Sequence, residues 1–129
     1  MCKSVGLNEF IKTLPNEYET IIGEGGSTLS SGQKQKLNIS RALLRATPIY
    51  IFDEITANLD GKAEKDIMEI IKEYSKKSII IFISHKVSSI IDSDKIFVLE
   101  NGRVADSGNH DYLLSNNNVY KDLFKNRNI

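Results

Sequence analysis

"LSSGQKQKLNISRALLRATPIYIFDE", Leu29 to Glu54, runs from a Ser- and Gly-containing loop through a helical pattern into a short apolar run that stops at two carboxylates. From Gln33 onward, Leu37, Arg41 and Leu44 share one side of a helix, and Ile39, Leu43 and Ala46 share the neighbouring one, until Pro48 closes the segment. Ser30 or Ser31 can cap its start, because a hydroxyl there accepts one of the open backbone N–H groups. "IYIF", residues 49–52, is apolar at every position, which predicts a strand buried on both faces. A polar end on such a strand is where an open parallel sheet places its ligands.

Working outward, Leu7, Phe10, Ile11 and Leu14 form a short amphipathic helix that ends at Pro15. "IIGEGGSTLSSGQ", from Ile21, holds four of the eight glycines and reads as a loop that needs unusual backbone angles or close approach to a ligand. A helix from about Lys62 to Lys77 puts Ala63, Ile67, Ile70, Ile71 and Tyr74 on one face. "SIIIFIS", from Ser78, is a second strand expected to be fully buried, and it leads into Ser84-His85 and a short helix through Val87 and Ile91. "KIFVLENGRVADSG", from Lys95, is a strand entering a hairpin at Asn101-Gly102, and His110 to Phe124 read as one or two capping helices. The alternation of strands and helices predicts a parallel α/β sheet.

Composition narrows the partners. Seventeen basic residues balance seventeen acidic ones, so no net field favours nucleic acid or anionic lipid, and phosphate binding has to come from local geometry. The lone Cys2 excludes an internal disulfide framework and fits a reducing cytosol. The longest strongly apolar stretch, Ile79 to Ile83, is far below the roughly 20 residues of a bilayer span, so no direct insertion is expected.

Three polar clusters could carry chemistry. Asp53 at a strand end suits Mg²⁺, a second carboxylate at Glu54 can polarise a water, and His85 can donate to a phosphoryl oxygen. Taken singly, Asp53-Glu54 also fits a helix cap or a solvated strand end, and His85 fits a cap of the following helix. The loop before Gln33 suits an anion, since free N–H groups and the positive helix end point into it, and it also fits a flexible linker.

In order and spacing, "LSSGQKQKLNISRALLRATPIYIFDEITANLD" closely resembles the ATP-binding cassette (ABC) family of transport ATPases. Leu29, Ser30, Gly32 and Gln33 match its LSGGQ signature, Ile49 to Asp53 the Walker B strand, Glu54 the catalytic glutamate, Thr56 to Asp60 the D-loop and His85 the switch histidine. "DSDKIFVLENGRVADSGNHDYLL" looks like the family's C-terminal hairpin and helix, and "GEGG" like the loop by which exporter cassettes touch their membrane domains. The resemblance implies a partial P-loop NTPase (RecA-like) sheet with flanking helices. Residues 1–47 would be the C-terminal part of the helical signature subdomain and 48–129 the C-terminal half of the ATPase core.

The same resemblance implies ATP and Mg²⁺, a second nucleotide-binding domain as dimer partner, and transmembrane domains met through Glu24 at the cytoplasmic face of the cell membrane. Asp53 would hold Mg²⁺ through water, Glu54 would orient and deprotonate the attacking water, and His85 would contact the γ-phosphate. Ser30, with the backbone at Ser31 and Gly32 and with Gln33 beside them, would face the γ-phosphate held by the partner, and Asp60 would link the two sites. No G-x-x-x-x-G-K-[ST] occurs in these residues, so the chain is expected to be a cassette's C-terminal half, inactive by itself and weakly stable or self-associating. The family's strand before that loop would lie between the strand ending at His85 and the strand at Lys95 to Leu99. A signature-donating module without catalysis and a non-transport relative are the competing expectations.

Four positions, in three places, depart from the family pattern: Ser31 for Gly, Ala57-Asn58 for Ser-Ala, and Lys86 for Arg. A positive φ at Ser31 would cost about 1–2 kcal/mol.

Overall fold

In a computed structural model, residues 5–23 and 28–125 are described. Cys2, Glu24, Gly25 and Gly26 lie outside them. The chain forms two compact units, Met1–Ile81 and Phe82–Ile129. The subdomain boundary expected between residues 47 and 48 falls inside the first.

The first unit begins with α1 (Asn8–Lys12) and a 3-10 turn (Glu17–Glu19). α2 (Ser31–Leu43) follows, then β1 (Ile49–Asp53) and α3 (Gly61–Ser75). α2 starts two residues before the expected Gln33 and ends well short of Pro48. β1 pairs with β2 (Ile79–Ile83) in a small parallel sheet, and the Ile79 N–H donates to the Pro48 carbonyl at 2.9 Å.

The alternation of β1 sends Tyr50 and Phe52 inward, where Tyr50 meets the Tyr74 ring of α3 edge-on at 6.5 Å. Ile67, Ile70 and Ile71 of α3 are buried, as are Ile39 and Leu43 of α2 and Val5 and Leu7 near the start. The α3 face and the Ile39 and Leu43 positions of α2 agree with the pattern read from the sequence, whereas Leu44, 66% exposed, and Ala46 lie past the end of α2 and are not covered. The expected burial of both strand faces is corrected, because Ile49, Ile51, Ile79, Ile81 and Ile83 are 46–66% exposed. The sheet is two strands wide, and in β1 the covered positions are Tyr50 and Phe52, 6% and 5% exposed. Among the described residues, nothing shields the isoleucines to that degree.

In the second unit, the segment after β2 is a single 3-10 turn (Val87–Ser89), shorter than the helix expected through Ile91. β3 (Ile96–Glu100) and β4 (Arg103–Gly108) form an antiparallel hairpin with Glu100 opposite Arg103. Its turn has φ of 49° at Asn101 and 74° at Gly102, the pair of positive angles that a type I′ turn demands and that Asn-Gly supplies. α4 (His110–Asn116) and α5 (Asn118–Lys125) close the unit, with Val87, Ile96, Val98, Leu113 and Tyr120 as its core. The His110 Nδ1 lies 2.9 Å from the Tyr120 hydroxyl, so the buried phenol keeps a polar partner.

Candidate functional site

Ser30 is the N-cap of α2, and the cap is reciprocal. The Ser30 Oγ accepts the Gln33 N–H at 3.2 Å, and the Gln33 side-chain oxygen accepts the Ser30 N–H at 2.9 Å. This is a capping box, and its S-x-x-Q spacing was a readable signal that the choice between Ser30 and Ser31 did not use. Of the N–H groups that a helix start leaves open, those of Ser30 and Gln33 are thereby occupied. Among the described residues no bond reaches the N–H groups of Ser31 and Gly32, which face out at the positive end of a 13-residue helix. The Ser30 hydroxyl still has its own proton to donate.

The left-handed cost considered for Ser31 does not arise. Ser31 is the first residue of α2 and its φ is not positive. Gly32 sits in a tight approach: a Cβ there would lie 3.0 Å from the Ala63 Cβ at the start of α3.

β1 delivers Asp53 and Glu54 to its carboxyl end, both exposed. Glu54 has φ 47°, a left-handed backbone that a side chain with a Cβ resists at about 1–2 kcal/mol. Such angles collect at working sites, because the surroundings must hold them against that cost. Periodicity carries no signal of it. From Glu54 the chain descends through turns, with the Glu54 carbonyl accepting the Ala57 N–H at 3.1 Å and the Thr56 carbonyl accepting the Leu59 N–H at 3.3 Å. Thr56 is 1% exposed and anchors them. Asp60 then caps α3, its Oδ1 accepting the Ala63 N–H at 2.8 Å.

The first unit therefore contains Ser30, Ser31, Gly32, Gln33, Asp53, Glu54 and Asp60. His85 belongs to the second, where it is exposed just past the end of β2. Ser84 shapes its turn by accepting the Lys86 N–H on Oγ at 2.9 Å. Among the described residues there is no cluster of three or more His, Cys, Asp or Glu that could hold a metal ion. No described helix is long and apolar enough to cross a membrane.

Comparison with known proteins places these features in a family context. The family described as ABC transporter matches residues 3–57. The ATP-dependent lipid A-core flippase of Haemophilus influenzae (strain 86-028NP) is 44% identical over 116 residues, covering 90% of this chain and 20% of the flippase. The mitochondrial iron-sulfur clusters transporter ABCB7 of Danio rerio is 39% identical over 129 residues, covering 99% of this chain and 17% of that protein. A solved structure of a bacterial Atm1-family ABC exporter with ATP bound superposes with a TM-score of 0.91 at 37% identity, over 99% of this chain and 23% of that one. The chain thus spans about a fifth of the length of the curated relatives it matches.

Proposed function

We propose that this chain, a member of the ABC transporter family, is a part of an ATP-binding, ATP-hydrolysing subunit that powers export across a membrane, and that it carries the signature and the segments after it. The observation that carries the reading is the start of α2. The reciprocal Ser30–Gln33 cap fixes that helix end while leaving the Ser31 and Gly32 N–H groups for an anion, and these are the residues that the signature assigns to phosphate.

The residues fit their groups. Asp53, a carboxylate open to water at a strand end, suits a hydrated Mg²⁺. Bound there, the ion would neutralise charge developing on the transferred phosphoryl group. Glu54, on a left-handed backbone just past the strand end, orients the attacking water and takes its proton. His85 donates to a γ-phosphate oxygen. Ser30, Ser31 and Gly32 donate to the γ-phosphate of the nucleotide bound by the partner cassette, with Gln33 holding the cap. Asp60, already fixed as the α3 cap, links the two sites through its remaining oxygen.

On this reading residues 1–47 finish the helical signature subdomain and 48–129 form the second half of the ATPase core. The subunit works at the cytoplasmic face of the membrane. Its partners are a second nucleotide-binding domain and the transmembrane domains that Glu24 meets. Phosphoryl transfer depends on positioning, so these 129 residues by themselves should not turn over ATP.

Glu54→Gln in the export subunit that contains this segment tests the reading. ATP should still bind, and steady-state hydrolysis should fall by at least about a hundredfold, the low end of what a positioned base contributes. Unchanged hydrolysis would remove Glu54 from its role.

A further inference from the structure

The starts of α2 and α3 are joined side by side at two points. Near the ends, a Cβ on Gly32 would stand 3.0 Å from the Ala63 Cβ, so the two backbones approach as closely as a missing side chain allows. Farther in, the Lys36 ammonium donates to Asp66 Oδ2 at 2.6 Å. Lys36 lies four residues after Gly32 and Asp66 three after Ala63, so each helix presents both contacts on one face, about one turn apart. Lys36 and Asp66 also stand at the same distance from their caps, six residues beyond Ser30 and Asp60. The two helices therefore run together from their N-termini. Two positive helix ends held side by side repel, and the pair opposes that repulsion.

We propose that the Lys36–Asp66 ion pair is a tether that makes the start of α2 and the start of α3 move as one body, so that both residues are positioning residues for the signature loop and the D-loop together. The pair suits the task because the Lys36 side chain is only 15% exposed and that of Asp66 40%. Removing Asp66 leaves the largely covered Lys36 ammonium without its partner, whereas removing Lys36 leaves a carboxylate that water still reaches, so the first change should weaken the junction more. The tether also couples the two caps. Displacing α3 by a turn's fraction shifts the Asp60 carboxylate and, through Ala63 and Gly32, the open N–H groups of α2. The functional meaning rests on the signature reading above, while the mechanical coupling does not.

Amide hydrogen exchange on the full chain tests the tether, following residues 31–34 and 61–64. Lys36→Met and Asp66→Asn should each raise exchange severalfold in both segments, including the one on the helix that was not changed. Lys36→Arg should keep both near the parent, and Lys36→Asp combined with Asp66→Lys should recover most of the protection. A rise confined to the changed helix in Asp66→Asn, or an unaltered pattern, overturns the proposal. If Lys36→Met fails to fold, Asp66→Asn and Lys36→Arg still decide it. None of these outcomes involves nucleotide, so failure of the signature reading shows separately, as ATP hydrolysis that is indifferent to Ser30→Ala.

Discussion

Ser30 and Gln33 hold each other, each side chain accepting the other's backbone N–H at 3.2 and 2.9 Å. The LSSGQ stretch is thus also the start signal of α2, and the residues that form its cap are distinct from the N–H groups left open at Ser31 and Gly32.

Ser30→Ala removes one arm of that cap and should destabilise the start of α2 by about 1 kcal/mol, read as faster amide exchange at Gln33 and Lys34. Ser30→Asp keeps the cap and should hold stability within about 0.5 kcal/mol, while placing a negative charge where a phosphate would sit. Equal loss in the two variants would mean that the cap is not what Ser30 supplies.

Glu54 carries a left-handed backbone, and that makes a prediction of opposite sign for two substitutions. Glu54→Gly releases the Cβ strain and should leave thermal stability unchanged or raise it by up to about 1 kcal/mol, after allowance for glycine's entropy when unfolded. Glu54→Val should lower it by roughly 1 kcal/mol or more, since a branched side chain resists that angle most. If Val is tolerated as well as Gly, the angle is not enforced in solution.

Gly32→Ala inserts a methyl against Ala63 and should cost about 1–3 kcal/mol, with Ala63→Gly restoring much of it. The double-mutant cycle reads the contact directly. Additive effects would deny it.

Burial raises the Tyr120 phenol above its ordinary value of 10.0. A raised folded-state pKa gives stability that is complete below the unfolded value and is lost as pH climbs through the folded one. The second unit should therefore weaken above pH 10 and hold steady below it so far as this group is concerned. Tyr120→Phe should remove that alkaline slope at a neutral-pH cost of about 1 kcal/mol for the lost His110 bond. An alkaline unfolding curve identical in the two proteins would assign the slope to other groups.

Much of this was readable in advance. The 3.6-residue recurrence of Ile67, Ile70 and Ile71 marked the buried face of α3, and Asn101-Gly102 marked a turn whose two positive φ angles follow from those residue types. The misreading of β1 and β2 has a physical source. An all-apolar strand records burial in a complete assembly, and the exposed Ile49, Ile51, Ile79 and Ile81 report what these residues cover among themselves. In the site, residue types singled out Asp53, Glu54 and Ser30, and the structure places the first two at the exposed end of β1 and the third as the cap of α2. The left-handed angle at Glu54 and the Lys36–Asp66 pair were invisible, because a dihedral leaves no pattern and the partners are far apart in sequence.

The same isoleucines predict behaviour in isolation. Sedimentation of the 129 residues should show association that grows with concentration, together with a broad, weak unfolding transition. A monomer that unfolds sharply would rule this out.

The central claim is that Ser30 and Glu54 of one chain serve two different ATP sites. ATP hydrolysis by paired export subunits that contain this segment tests it most directly, with Ser30→Ala and Glu54→Gln placed either in one subunit or in opposite ones. Split between the subunits, the two changes fall in the same composite site and leave the other whole, so substantial hydrolysis should remain. Placed in one subunit, they disable both sites and hydrolysis should vanish. The reverse outcome, activity with both changes in one subunit and none when they are split, would mean that the signature completes a site with the carboxylates of its own chain.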